Sequence, residues 1–123
     1  MRIAVTAQGT DLDSAIDPRF GRCRSFVIAD SDSDEFEAFS NDGVMASGGA
    51  GTQSAQFLAN KGVDAVITGN VGPNAARALE AAGIEVYSTA AGTVRDALQA
   101  FKAGKLSAVS GATVDSHHGM GRL

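Results

Sequence analysis

One nine-residue phrase occurs twice in this chain and constrains its fold more than any other feature. Ala55, Leu58, Gly62 and Val63 repeat at Ala76, Leu79, Gly83 and Ile84 as Ala-x-x-Leu-x-x-x-Gly-[Val/Ile]. Alanine and leucine three residues apart share one face of a helix, and the glycine supplies a left-handed end to it. Each phrase runs into a short apolar stretch, residues 64–68 and 84–88, that reads as a buried strand. Pro73 sits where the first turn of the second helix favours a proline. Two copies are too few for a solenoid, so these are two helix–strand units of one sheet.

A third helix is predicted by Val94, Ala97, Leu98 and Phe101, which fall at i, i+3, i+4 and i+7. Thr93 and Asp96 form a capping-box-like start, and Gly104 is its stop. Upstream, residues 3–6 and 25–30 read as strands, and residues 35–39 as a half-exposed one. Glu35 and Glu37 facing outward would protect that strand's edge from unwanted pairing. Residues 7–23 carry Gly9, Asp11, Asp13, Asp17-Pro18 and Gly21, and read as a long irregular loop of functional or mobile character.

The order is therefore βββαβαβα. Three sequential strands form an antiparallel meander, and the later strands join in parallel through right-handed crossovers. We expect a mixed α/β sheet of five strands in order 3-2-1-4-5 with helices on both faces, an order shared by ribonuclease H-like folds. The 123 residues make one domain, with a compact core over 1–104 and an irregular tail over 105–123. In that arrangement the ends of strands 1, 4 and 5 and three helix N-termini gather at one edge. Open sheets bind ligands outside the carboxyl ends of their strands.

Two small-residue loops should meet at that edge. One is Gly48, Gly49, Gly51 and Thr52; the other is Thr68, Gly69, Asn70, Gly72 and Asn74. Their side chains are too small for much chemistry, so recognition falls to backbone N–H groups at helix N-termini, which suit an anion. The first loop lacks both the third glycine of a dinucleotide fingerprint and the Gly-Lys-[Ser/Thr] of a P-loop. The bland alternative is a flexible connection that needs positive φ angles.

Charge narrows the partner. The net charge is −4, which argues against nucleic acid, and Arg19, Arg22 and Arg24 suit one small anion better than a duplex. No apolar run is long enough to span a membrane, and no secretory leader is evident. With Cys23 as the single cysteine, a reducing cytoplasm is the expected location.

Catalysis finds little support. Residues 2–6 offer no acidic side chain for a metal-dependent nuclease, and Asp64 starts its strand at the end away from the binding edge. No nucleophile–base arrangement stands out. Asp30, Asp32 and Asp34 imitate a calcium loop, but Glu35 replaces its glycine and Asn41 its bidentate acid, so a hairpin turn is predicted.

The soft or borderline metal ligands are few. His117 and His118 belong either to a solvated tail or to a mobile arm that brings one imidazole to an exposed metal centre. Cys23, between Arg22 and Arg24, would be a thiolate if exposed and a core thiol if buried.

Several phrases carry a family resemblance. They are residues 17–22 (Asp-Pro-Arg-Phe-Gly-Arg), residues 48–51 (Gly-Gly-Ala-Gly) and residues 68–75 (Thr-Gly-Asn-Val-Gly-Pro-Asn-Ala). Residues 91–95 and the late His117-His118-Gly119-Met120 complete the set, in order, over nearly the whole chain. The chain resembles the dinitrogenase iron–molybdenum cofactor biosynthesis family. That resemblance implies a ribonuclease H-like fold without nuclease activity, and a non-enzymatic binder or carrier of iron–molybdenum cofactor, an iron–sulfur precursor or a related cluster. It implies cofactor-assembly proteins as partners. Many members carry a histidine before the glycine cluster, where this chain has Ser47, and some have one in place of Arg19. Cys23, His117 and His118 are left as metal-ligand candidates, beside Arg22 and the two loops as an anionic cradle. Two other readings use the same loops: a sensor for a small organic anion or phosphate, and an interaction partner of a metalloenzyme assembly system.

Overall fold

The computed structural model describes residues 1–33, 35–41, 50–89 and 92–109. Nine elements follow in the order β1 (Arg2–Ala7), β2 (Ser25–Asp30), β3 (Phe36–Ser40), α1 (Ala50–Asn60), β4 (Ala65–Thr68), α2 (Pro73–Ala81), β5 (Glu85–Ser88), α3 (Val94–Lys102) and β6 (Ala108–Val109), counted among the described residues. Gly62 and Gly83 end the first two helices at φ +73° and +75°, as the repeated phrase requires. α3 opens on a complete capping box. The Asp96 N–H donates to Thr93 Oγ1 at 3.1 Å, and the Thr93 N–H donates to the Asp96 carboxylate at 3.1 Å.

The strands form one mixed sheet in the order β3-β2-β1-β4-β5-β6. β1 and β2 are antiparallel from Arg2 opposite Asp30 to Ala7 opposite Ser25. β4 lies parallel to β1, with Ala4 beside Val66, and β5 parallel to β4, with Thr68 beside Ser88. The expected five strands are corrected to six, because Ala108 and Val109 pair antiparallel with Tyr87 and Val86. Two residues are too short to show alternation, so only the neighbouring strand reveals them as part of the sheet rather than of a tail.

Period-2 alternation divides the core between the two faces. Ala4, Phe26, Ile28 and Val66 pack beneath α1 and α2, against Ala55, Leu58, Ala76 and Leu79. Ile3, Val5, Val27 and Ile67 pack on the opposite face against Val94, Ala97 and Leu98 of α3. Phe57 of α1 stacks on Phe26, with ring centroids 5.7 Å apart, and meets Phe39 edge-on at 5.5 Å. Helices thus cover both faces. No helix among the described residues is long and apolar enough to cross a membrane.

Candidate functional site

Because β1, β4 and β5 are parallel, their carboxyl ends share one edge, and the loops leaving them pack on one another there. The loop after β1 folds back immediately. The Asp17 N–H donates to the Thr6 carbonyl at 2.9 Å, and the Thr6 hydroxyl donates to the Asp17 carbonyl at 2.6 Å. Thr68 Oγ1 lies 2.8 Å from Thr6 Oγ1, which joins the ends of β1 and β4 by a buried hydroxyl pair. On the far side, Ser88 Oγ donates to the Gly69 carbonyl at 3.0 Å.

Residues 18–20 then run beside the loop after β4. The Asn70 N–H donates to the Pro18 carbonyl at 2.7 Å, and the Phe20 N–H to the Asn70 carbonyl at 3.1 Å. Glycine is required opposite: a Cβ on Gly69 would stand 2.7 Å from the Pro18 Cα and 2.8 Å from its carbonyl oxygen. Asp17 fixes the turn from beneath. Its carboxylate, only 1% exposed, accepts from the Arg19 N–H at 3.1 Å, from Arg19 Nε at 3.2 Å and from Nη2 at 3.3 Å. That hydrogen bond and the negative charge behind it hold the Arg19 guanidinium above its ordinary pKa.

Past this turn the chain delivers Phe20 and Arg22 to the mouth of a cleft of about 370 Å³. The rest of its lining comes from the first turns of two helices: Gly51 and Thr52 of α1, and Gly72, Pro73, Asn74 and Ala75 at the start of α2. α2 has Gly72 as its N-cap, so no side chain caps it. Pro73 contributes no N–H, and the amides of Asn74 and Ala75, in the first turn, have no intrahelical acceptor. Asn74 Oδ1 accepts from Arg77 at 2.7 Å, which leaves the side-chain NH2 as the remaining donor. Arg22 is exposed and has no ion pair among the described residues. The cleft therefore offers a guanidinium, backbone amides, one amide side chain and the Thr52 hydroxyl, a set dominated by donors.

Of the residues singled out from the sequence, Arg22, Gly51, Thr52, Gly72 and Asn74 converge here. Thr68, Gly69 and Asn70 do not line the cleft; they tie its wall to the sheet. Gly48, Gly49, His117 and His118 lie outside the described residues. The start of α3 lies at this edge too, where Thr93 bridges Ala15, but Thr93 and Asp96 satisfy its first turn and it adds nothing to the cleft lining. Phe20, Pro73 and Ala75 were not anticipated as lining. Phe20 had a signal, an aromatic side chain alone in a glycine- and arginine-rich loop.

Cys23 does not meet the condition of exposure. It is fully buried, clamped by Asn41, whose Nδ2 donates to the carbonyls of Gly21 at 3.1 Å and Cys23 at 2.9 Å. Burial first, and the charge of Asp17 second, push its thiol up to about 12, so it is protonated at neutral pH. Alternation was the missed signal: Arg22 and Arg24 are exposed, so the residue between them points inward. Among the described residues no three His, Cys, Asp or Glu side chains form a metal-binding group.

Comparison with known proteins follows this geometry. The sequence profile described as dinitrogenase iron-molybdenum cofactor matches residues 1–104. An uncharacterized protein of Methanocaldococcus jannaschii is 34% identical over 97 residues, which cover 76% of this chain and 82% of that protein. The apo form of the orange protein from Desulfovibrio gigas superposes with a TM-score of 0.87 at 43% identity, covering 90% of this chain and 94% of the other. A putative NifB protein from Thermotoga superposes with a TM-score of 0.75 at 37% identity, covering 87% of this chain and 91% of the other.

Proposed function

The chain belongs to the dinitrogenase iron-molybdenum cofactor family, and from that premise we propose that it binds or carries an anionic metal–sulfur cluster without catalysing a reaction. The cargo is iron–molybdenum cofactor or an iron–sulfur type precursor, taken from and passed to cofactor-assembly proteins in the cytoplasm. The scaffold is read as ribonuclease H-like, without nuclease chemistry. One observation carries the proposal: Arg22 and the start of α2, which no side chain caps, share a cleft with the first turn of α1, so donors converge where cargo would sit.

A cluster's outer sulfides and oxygens are acceptors, and amides with a guanidinium meet them without covalent bonds. Such a hold is reversible, which suits a carrier. His117 or His118 can add a labile bond from the tail. Cys23, protonated and enclosed, takes no part. A phosphate or small organic anion would find the same donors, and the described lining, a guanidinium with small neutral residues and Phe20, suits that second reading.

The test is anaerobic reconstitution with ferrous iron, sulfide and molybdate, then desalting, visible absorption and metal analysis. A retained chromophore that falls at least about tenfold in Arg22→Glu is expected, since a carboxylate there repels the cargo. A parallel loss in His117→Ala or His118→Ala identifies the labile ligand. No retained metal, or metal content unmoved by Arg22→Glu, overturns the proposal. A rise in melting temperature with inorganic phosphate alone would select the sensor instead.

A further inference from the structure

Among the described residues, β3 is an edge strand of the sheet, paired on one side only, with β2. The Asn41 N–H donates to the Arg24 carbonyl at 2.9 Å, and Phe39 and Glu37 stand opposite Phe26 and Ile28. In an antiparallel ladder the hydrogen-bonded positions alternate, so Glu37 and Phe39 direct their backbone to β2. Phe36 and Ala38 direct theirs outward. We propose that β3 is a homodimer interface, in which two copies join antiparallel about Ala38 and the two sheets become one.

Side chains select this register. With Ala38 opposite Ala38 of the second copy, Glu37 faces Phe39 of the second copy on the α1 side of the sheet. Lys61 Nζ already sits 4.5 Å from the Phe39 ring centroid. Glu37 and Lys61 are exposed, and neither has an ion pair among the described residues. The pairing therefore gives each acid a lysine from the other copy, twice by symmetry. Directly opposed positions lie about 5 Å apart at Cβ, within reach of a lysine head group. On the other side of the sheet Phe36, 38% exposed, would cross the junction beside Ala38 of the second copy, whose small side chain leaves it room.

The competing register is penalised. Centring the pair on Phe36 would set Glu35 against Glu37 of the second copy, two like charges on each side of the axis. The acids that guard this edge against indiscriminate pairing thus permit one partner, a second copy of this chain. One strand pair makes a small interface, so the dimer belongs to the weak class, below about 1,200 Å² of buried surface. The inference does not depend on what the cleft holds.

Sedimentation equilibrium of the full chain across a concentration series tests it. A concentration-dependent dimer is expected. Glu37→Lys and Lys61→Glu each set like charges face to face and should weaken association by about tenfold or more. The double variant restores the pairs in reverse and should recover to within about threefold. Ala38→Pro removes an outward N–H, which an edge strand tolerates in the monomer, and should abolish the dimer. Circular dichroism and melting confirm that each variant is folded. A monomer at every concentration overturns the proposal and leaves the edge to a strand of a different protein. A dimer indifferent to Ala38→Pro and to both charge reversals overturns it equally.

Discussion

Gly51 and Ala75 touch across the two helices of the cleft: a Cβ built on Gly51 would stand 2.9 Å from the methyl carbon of Ala75. The missing side chain lets the first turns of α1 and α2 approach closely enough for their donors to face one ligand. Alanine at 51 gains about 1 kcal/mol of helix propensity but forces an overlap that costs about 1–3 kcal/mol. We expect Gly51→Ala to lower stability by about 1 kcal/mol in urea unfolding. Adding Ala75→Gly should relieve the overlap, so the double variant loses less than the sum of the singles. Strict additivity would mean the two positions are not in contact.

Gly69 is the stricter position. The atoms a new Cβ would meet are the Cα, the carbonyl oxygen and the ring Cβ of Pro18, none of which can rotate aside. Gly69→Ala should therefore cost about 2–3 kcal/mol. It should also break the hydrogen bonds between residues 18–20 and Asn70, seen as faster hydrogen exchange at the Phe20 and Asn70 amides.

Cys23 predicts an alkaline limit. Its thiol is raised in the fold from an ordinary 9.0 to about 12, so above pH 9 the unfolded chain releases a proton that the folded chain retains. Stability contributed by the buried thiol is complete below pH 9 and is lost as pH rises toward 12. Chemical unfolding between pH 8 and about 10.5 should show that slope in the native sequence and a shallower one in Cys23→Ala. Equal slopes would show that the thiol does not titrate as its burial requires.

Thr93 supplies the control. Thr93→Ala removes one half of the capping box and should lower stability by about 1 kcal/mol, or roughly 4–6 °C in melting temperature. α3 packs on the face opposite α1 and α2, so cargo or phosphate retention should be unchanged. A binding defect of the size expected for Arg22→Glu would mean that α3 also shapes the cleft.

Much of this organisation is legible along the chain. The repeated Ala-x-x-Leu-x-x-x-Gly phrase places α1, β4, α2 and β5, and the Thr93–Asp96 pair is visible three residues apart. What was hidden depends on distant neighbours. β6 exists only because Tyr87 and Val86 offer it a ladder. Asp17 reads as a turn residue, yet its burial follows from the Thr6 and Arg19 contacts that close over it. The convergence of Gly51 with Gly72 follows from helix packing, for which the sequence supplies the small residues but not the distance.

Arg19 is already matched to Asp17, so among the described lining residues Arg22 carries the one formal positive charge, on a molecule of net charge −4. At physiological ionic strength that local attraction fades within about 8 Å, and the net negative charge adds no long-range pull on anions. A free anion in dilute solution would seldom be drawn in from afar. Loading is then fastest by direct hand-over from another macromolecule pressed against the rim, and rising salt should hasten discharge.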